Sequence, residues 1–364
     1  MTKIKSFYSR SQGISFLPGK GVSTVKDLLL RPIYMMTAPN HYDPNPELRI
    51  QAMGCTDNMF TENSDYNSFS PDTAKKEHHR LVTALRDLGA TVILDHGVEG
   101  QFDGVYTADP SFSMMKLQID KDKIVGVDLK TIASKFHNIS RSPEVGRQVN
   151  GSIAFFVRYL REKFQLNVTS QVQYPTIDGE GTGDNVISPY DGTLFAGCRE
   201  KREVFNPKFG RSDPDFYKII LEQMGFAQNN GFSFIVQQGW FHCDTVLAPL
   251  QKGEIVVYPA GMKDEHYKAL QRRAQEGKLI VIDERDAKNY AANLICLGDN
   301  ILVTAKTTPE LSQQLMAQGY HHEQININEQ FVEKSGGGTH CLVNQLNQMQ
   351  PKDYASAVRQ LQYE

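Results

Sequence analysis

Apolar residues recur at helical spacing in five separate stretches, and each stretch runs into a glycine or polar stop followed by a β-rich segment. In the first, Pro71–Gly89, Leu81, Leu85 and Leu88 fall at i, i+4 and i+7 on one helical face, and ATVILD follows as a strand. The second runs over about 143–164 and leads into NVTSQV. The third, Asp213–Phe226, opens with Asp213 as an N-cap and Pro214 in the first turn. The fourth, Lys263–Gly277, stops at a glycine before KLIVID. The fifth, Thr308–Gly319, is marked at its start by Thr308 and Pro309 and precedes YHHEQINI. Between these helices lie short β-like runs at 105–107, 124–127, 193–196, 254–258, 293–297 and 301–304.

Five helix-then-strand units, each with additional strands, predict a repeat architecture in which every unit supplies one blade. The units are unevenly spaced, by about 45 to 75 residues, and share no visible identity. The rival is an open doubly wound sheet, but neither a G-x-G-x-x-G nor a P-loop follows the first strand. Residues 1–364 are accordingly read as one α/β domain. The stretch from Asn40 to Ser70, rich in Asn, Asp, Ser and Thr, reads as a long loop of the kind that often covers a site.

Composition narrows the class. A hydrophobic fraction of 40% and a charged fraction of 22% describe an ordinary globular protein, and a net charge of −3 gives no electrostatic case for nucleic acid. The first 20 residues hold no apolar run long enough for a signal peptide, and nothing approaches 18 uninterrupted apolar residues, so no membrane span is expected. Cys55, Cys198, Cys243, Cys296 and Cys341 are scattered, odd in number and without a C-x-x-C. That spacing argues against a disulfide framework and a cysteine-rich zinc site, and a cytoplasmic protein with reduced thiols is the expectation.

Four segments carry chemistry. Ser335-Gly336-Gly337-Gly338-Thr339-His340-Cys341 delivers a cysteine from three glycines, which serve where backbone must approach something closely. Asp103–Pro110 ends a short β-like run with Asp109 and a proline. Asp178–Asn185 interleaves glycines with Asp178, Glu180 and Asp184; so acidic a loop repels phosphate and lacks the spacing of a calcium loop. Trp240–Thr245 sets His242 and Asp244 two apart, on one face if the segment is a strand. A Cys–His pair implies nucleophilic attack with proton transfer. The surplus of carboxylates points to a cation, and a planar guanidinium is the cation that two carboxylates can grip while its central carbon is attacked.

With these motifs in this order, an early strand ending in Met36-Thr37-Ala38-Pro39, then YTAD, the Glu180–Asp184 loop, His242-Cys243-Asp244-Thr245 and the terminal GGGTHC, the chain resembles the guanidino-group modifying enzymes, the superfamily of arginine deiminases, dimethylarginine dimethylaminohydrolases and amidinotransferases. The resemblance spans nearly the whole chain. It implies a five-bladed β/α propeller, the pentein fold, with pseudo-fivefold repeats around a central site. It implies Cys341 as nucleophile, His242 as general acid/base and Glu180 as the acidic third member. It gives Asp109 and Asp244 the role of gripping the guanidinium, and Arg199 or Arg202 that of meeting a substrate carboxylate. Asp184 is a further candidate whose register is open, because EGTGD is one residue longer than the family's EGGD; Cys243 stands where an aliphatic residue is usual.

The implied reaction is cleavage of a guanidine C–N bond through a covalent amidino-cysteine, with no metal or organic cofactor. The implied substrate is a small arginine-like molecule. An amidinotransferase shares the first half-reaction and is the alternative; a non-catalytic binding module of the same fold is the second. Nucleic acid and membrane are not expected as partners, and a homo-oligomer stays open.

Overall fold

The computed structural model describes residues 7–9, 13–45, 68–137, 141–200, 210–304 and 306–361. Most of the 40–70 loop and Cys55 lie outside these residues. Among the described residues, five sheets succeed one another along the chain. Each is built the same way: two antiparallel strands, then a helix that carries the chain back so that a third strand pairs in parallel, as a parallel neighbour requires.

In the second blade Ser111–Asp120 pairs antiparallel with Lys123–Ala133, and the helical run from Ser142 to Phe164 returns the chain to Asn167–Gln173. That run holds a π-helical turn over Gln148–Ile153. The third blade is Asn185–Ile187, Leu194–Cys198, the helix Pro214–Gln223 and Gly231–Ile235. The fourth is Leu247–Pro249, Ile255–Val257, the helix Asp264–Arg273 and Leu279–Val281. The fifth is Ile295–Leu297, Asn300–Thr304, the helix Pro309–Ala317 and His321–Ile325. The first blade borrows its opening strand from the far end of the chain: Asn344–Gln345 pairs antiparallel with Ile33–Thr37, and the helix Pro71–Asp87 leads to Thr91–Asp95. Strands Ile14–Leu17 and Phe7–Ser9 extend that sheet outward.

The helices form where their caps and apolar faces predicted. Ser70, Asp213 and Thr308 accept backbone N–H bonds at three N-termini, each followed by proline in the first turn. Leu81 and Leu85 are buried on one face of the first of these helices. Packing then closes the ring seam by seam. Phe16, Ile93, Val127 and Phe156 join the first blade to the second. Phe112, Ile132, Leu194 and Phe216 join the second to the third. Phe234, Val246, Val256 and Ile301 run from the third through the fifth, and Tyr34, Val92, Ile295 and Leu302 return from the fifth to the first.

Three local expectations are corrected. Residues 105–107 form no strand: Tyr106 and Asp109 donate to backbone oxygens three residues earlier, which folds the segment into tight turns. His242–Thr245 is an extended residue followed by a 3₁₀ turn, so His242 and Asp244 do not share a strand face. The acidic glycine segment closes into one helical turn, Gly181–Asp184. The ten-residue strand Ser111–Asp120 escapes a reading by alternation because its first five positions are all buried. Among the described residues no helix is long and apolar enough to cross a membrane.

Candidate active site

Each blade's opening strand is entered by a buried polar side chain. Asp109 precedes Ser111, Asp184 precedes Asn185, Asp244 precedes Leu247, Asn293 precedes Ile295 and Cys341 precedes Asn344. The opening strands of the first and second blades touch, as do those of the third and fourth, and hydrogen bonds and ion pairs among His242, Glu180, Asp109, Asp244, Asn293 and Cys341 bring the entry points together. Repetition of one unit thus gathers residues that lie up to 232 positions apart in the chain (341 − 109).

His242 lies at the centre of the charged part. Its Nε2 donates to Glu180 Oε2 at 2.7 Å, and its Nδ1 stands 3.7 Å from Asp109 Oδ1. Two buried arginines flank this row. Arg141 reaches Asp109 Oδ2 at 3.2 Å and Glu144 Oε2 at 2.8 Å and lies over the Phe136 ring. Arg211 meets Glu180 Oε2 at 3.4 Å and stacks on Phe241. Burial opposes ionisation of Glu180, but the Arg211 charge and the His242 hydrogen bond hold its carboxyl well below the usual range. Burial also opposes a charge on His242, yet the Asp109, Asp184 and Glu180 carboxylates lift it to about 9. His242 is therefore an imidazolium at neutral pH in this state.

Cys341 lies beside the row and shares a recess with Asp109, His242, Arg141, Arg211, Tyr106 and Phe241. Its Sγ is 3.6 Å from Asp244 Oδ2, which also accepts from His340 Nδ1 at 2.9 Å. Asn293 bonds it on two sides, accepting from the Cys341 backbone N–H at 3.0 Å and donating to Sγ at 3.1 Å. Burial, then the charges of Asp244 and Asp109, push the thiol pKa well above the ordinary thiol value. The glycines before it act separately: Gly336 turns the chain at φ +68°, while Gly338 lies so close to Asn293 that a Cβ would stand 2.6 Å from Oδ1.

Three buried polar atoms here, Asp109 Oδ1, His242 Nδ1 and Asp244 Oδ1, have no hydrogen-bond partner among the described residues. Such atoms are costly unless a ligand or water meets them. Two carboxylates near a thiol, each with an oxygen to spare, suit a flat cation with several N–H donors. Each aspartate has its other oxygen engaged, Asp109 by Arg141 and Asp244 by His340, so each offers one oxygen rather than a bidentate pair. Asp109, Glu180 and His242 also place one ligand atom each within 4.8 Å of one another, as a metal site would. Arg141 and Arg211 already supply positive charge to those same carboxylates, which disfavours a cation between them.

The structure thus brings Asp109, Glu180, His242, Asp244 and Cys341 together. It sets Asp184 behind them, where its carboxylate accepts from Ser212 Oγ at 2.5 Å and from the Cys243 N–H at 3.2 Å; burial raises its pKa to about 7. Arg199 is not in the recess: its guanidinium is held by Asp178 and Asp213 and the carbonyl of Arg211. Arg202 lies outside the described residues. Sequence reasoning missed Arg141, Arg211 and Asn293. Arg141 is one of several polar residues in an unremarkable loop, and Asn293 was absorbed into a run read as strand. Only the repeat gives a signal for Asn293, a polar residue just ahead of an opening strand.

The structure has the pentein fold of solved arginine dihydrolase and dimethylarginine dimethylaminohydrolase chains, and its converging motifs are similar to those of the guanidino-group modifying enzymes. The family model for eukaryotic N,N dimethylarginine dimethylhydrolase matches residues 177–348. Among curated proteins, the bifunctional arginine dihydrolase/ornithine cyclodeaminase ArgZ of Synechocystis is 22% identical over 85% of this chain, and its counterpart AgrE of Nostoc is 25% identical over 50%. The matches cover 37% of ArgZ and 24% of AgrE, so the chain spans well under half the length of either. The crystal structure of the ArgZ N-terminal domain bound to substrate superposes with a TM-score of 0.66 at 21% identity, covering 87% of this chain and 99% of that domain. A dimethylarginine dimethylaminohydrolase carrying an S-methyl-L-thiocitrulline adduct superposes with a TM-score of 0.57 at 16% identity, over 86% of this chain and 99% of that one.

Proposed function

We propose that this protein is a cysteine-dependent hydrolase of a guanidine C–N bond, acting on arginine or a simple arginine derivative, with residues 1–364 as one catalytic domain. The observation that carries this reading is that Cys341 shares a recess with His242 and Asp109 and sets its Sγ 3.6 Å from Asp244, both aspartates keeping one oxygen without a partner among the described residues. The curated relatives named for arginine dihydrolysis and the substrate-bound ArgZ domain support the substrate class.

In this reading the guanidinium enters with N–H groups toward Asp109 Oδ1 and Asp244 Oδ1. Its positive charge offsets the two carboxylates that keep the thiol protonated, and Cys341 releases its proton to solvent as the cation binds. The thiolate attacks the guanidinium carbon, forming the S–C bond. The C–N bond to the departing amine then breaks as His242 gives that nitrogen a proton, leaving an S-alkylthiouronium. Neutral His242 takes a proton from water as its oxygen attacks the same carbon. The C–S bond breaks with its electron pair returning to sulfur, the hydroxyl on carbon gives its proton to solvent as the C=O forms, and a ureido product leaves with the thiolate restored. Glu180, kept ionised by Arg211, orients the imidazole and stabilises its charged form. Arg211, which lines the recess, meets a substrate carboxylate in this reading, the role the resemblance implied for Arg199 or Arg202.

Incubation with a panel of guanidines, read by mass for ammonia, alkylamines and ureido products, tests this directly. The expected result is one ureido product per turnover and an adduct on Cys341 that Cys341→Ser abolishes. Transfer of the amidino group to an added amine with no ureido product would make the protein an amidinotransferase. Turnover surviving Cys341→Ser would remove the mechanism.

A further inference from the structure

We infer that Asn293 is a catalytic residue whose side-chain N–H stabilises the Cys341 sulfur as a thiolate. The inference rests on Cys341 being the nucleophile and extends that reading to a residue from the fifth blade.

The amide cannot be turned around. Its Oδ1 faces the Cys341 backbone N–H at 3.0 Å, which only an acceptor can meet. Its Nδ2 faces the Asp244 carbonyl at 3.2 Å, which only a donor can meet. Two backbone groups of fixed character therefore decide the assignment, and the NH₂ group is the one that lies 3.1 Å from Sγ. The residue is fully buried, and its own backbone is pinned as well: its carbonyl accepts from Thr339 Oγ1 at 2.7 Å and from the His340 N–H at 3.2 Å, and its N–H donates to the Tyr290 carbonyl. Gly338 packs against it so tightly that no side chain fits between them. Asn293 is thus preset, with its donor aimed at sulfur before any substrate arrives.

The balance of charge around the sulfur gives this donor its importance. Asp244 Oδ2 at 3.6 Å, the Asp109 charge and burial all favour the thiol. Against these, hydrogen bonds from the Gly338 backbone and from Asn293 favour the thiolate. A thiol sulfur accepts a hydrogen bond weakly, whereas a thiolate accepts strongly, so an N–H donor discriminates between them. The same donor works again at the end of the cycle. When the tetrahedral carbon expels sulfur, negative charge returns to Sγ, and a preset dipole lowers the barrier to that departure.

The test uses the full chain without a guanidine. Titration of thiolate absorbance and the alkylation rate by iodoacetamide, with the labelled cysteine mapped by mass, are compared for wild type, Asn293→Ser and Asn293→Asp. Asn293→Asp keeps an acceptor for the Cys341 N–H and turns the donor into an acceptor facing sulfur. Its thiol titration should move up by one pH unit or more, and alkylation at fixed neutral pH should fall about tenfold to a hundredfold, the scale of a hydrogen bond to a charged group. Asn293→Ser adds no charge and should shift less in the same direction; it carries the reading if the aspartate variant does not fold. An unchanged titration and alkylation rate at Cys341 in a folded variant overturns the role of Asn293 alone. Guanidine turnover that survives Cys341→Ser overturns the nucleophile assignment and this inference with it.

Discussion

Gly338→Ala perturbs the site through a single methyl group. The new Cβ would stand 2.6 Å from Asn293 Oδ1, 2.8 Å from its Cβ and 3.0 Å from its Cγ. Real carbon contacts begin well beyond such distances, so something must move. Asn293 cannot retreat easily, because hydrogen bonds to Cys341, Asp244, Tyr290, Thr339 and His340 hold its amide and backbone. The strain therefore passes into the Gly338–Cys341 segment. Overpacking of this kind costs about 1–3 kcal/mol of stability. A displacement of Sγ by on the order of 1 Å costs about a hundredfold in turnover, because the thiolate must meet a carbon held by other residues. Val168→Ala, in the buried core of the second blade, loses about 2 kcal/mol by cavity formation without touching the recess and is the matched control. Urea unfolding and steady-state kinetics on the guanidine identified by the panel provide the two readouts. The expectation is similar destabilisation in both variants, with kcat down about a hundredfold only in Gly338→Ala. Wild-type kcat in a folded Gly338→Ala, or an equal fall in the control, would refute the reasoning.

Asp244→Asn should raise KM for a cationic guanidine about tenfold to a hundredfold with little change in unfolding free energy, since it removes a charge-assisted contact and keeps the shape; an unchanged KM contradicts the gripping role. His242, lifted from 6.5 to about 9, contributes stability that is fully present below pH 6.5 and is lost as pH rises through about 9, up to about 3 kcal/mol for the full shift. Melting temperatures of wild type and His242→Asn across that window should converge toward the alkaline end, and parallel curves would mean that the imidazolium is not held by its carboxylates. Arg211→Gln should raise KM for guanidines bearing a carboxylate more than for those lacking one; equal effects on both would place the carboxylate elsewhere.

By itself the sequence determined the periodic part of the protein. Helix faces such as Leu81 and Leu85, and start signals such as Asp213 and Thr308, are local properties, so the five helix-then-strand units and their number could be read directly. Cys341, His242, Glu180, Asp109 and Asp244, which the structure brings together, stood out in the sequence because glycine and carboxylate clusters are unusual in core segments. Tertiary structure decided the rest. Four of the five opening strands have only two or three residues, too short to show a period, and the polar entry residues converge only because blades repeat around a centre. His242 and Asp244 diverge because a 3₁₀ turn replaces the expected strand, sending one to Glu180 and the other to His340 and Cys341. Which arginine reaches the recess depends on burial beside Glu180, not on nearness to Cys198 in the chain: Arg199 is taken by Asp178 and Asp213, and Arg211 remains at the site. Asn293 meets Cys341 across 48 residues of chain, and no local pattern encodes such a pairing; it follows from ring closure, when the last strand returns to the first blade and sets the cysteine beside the fifth.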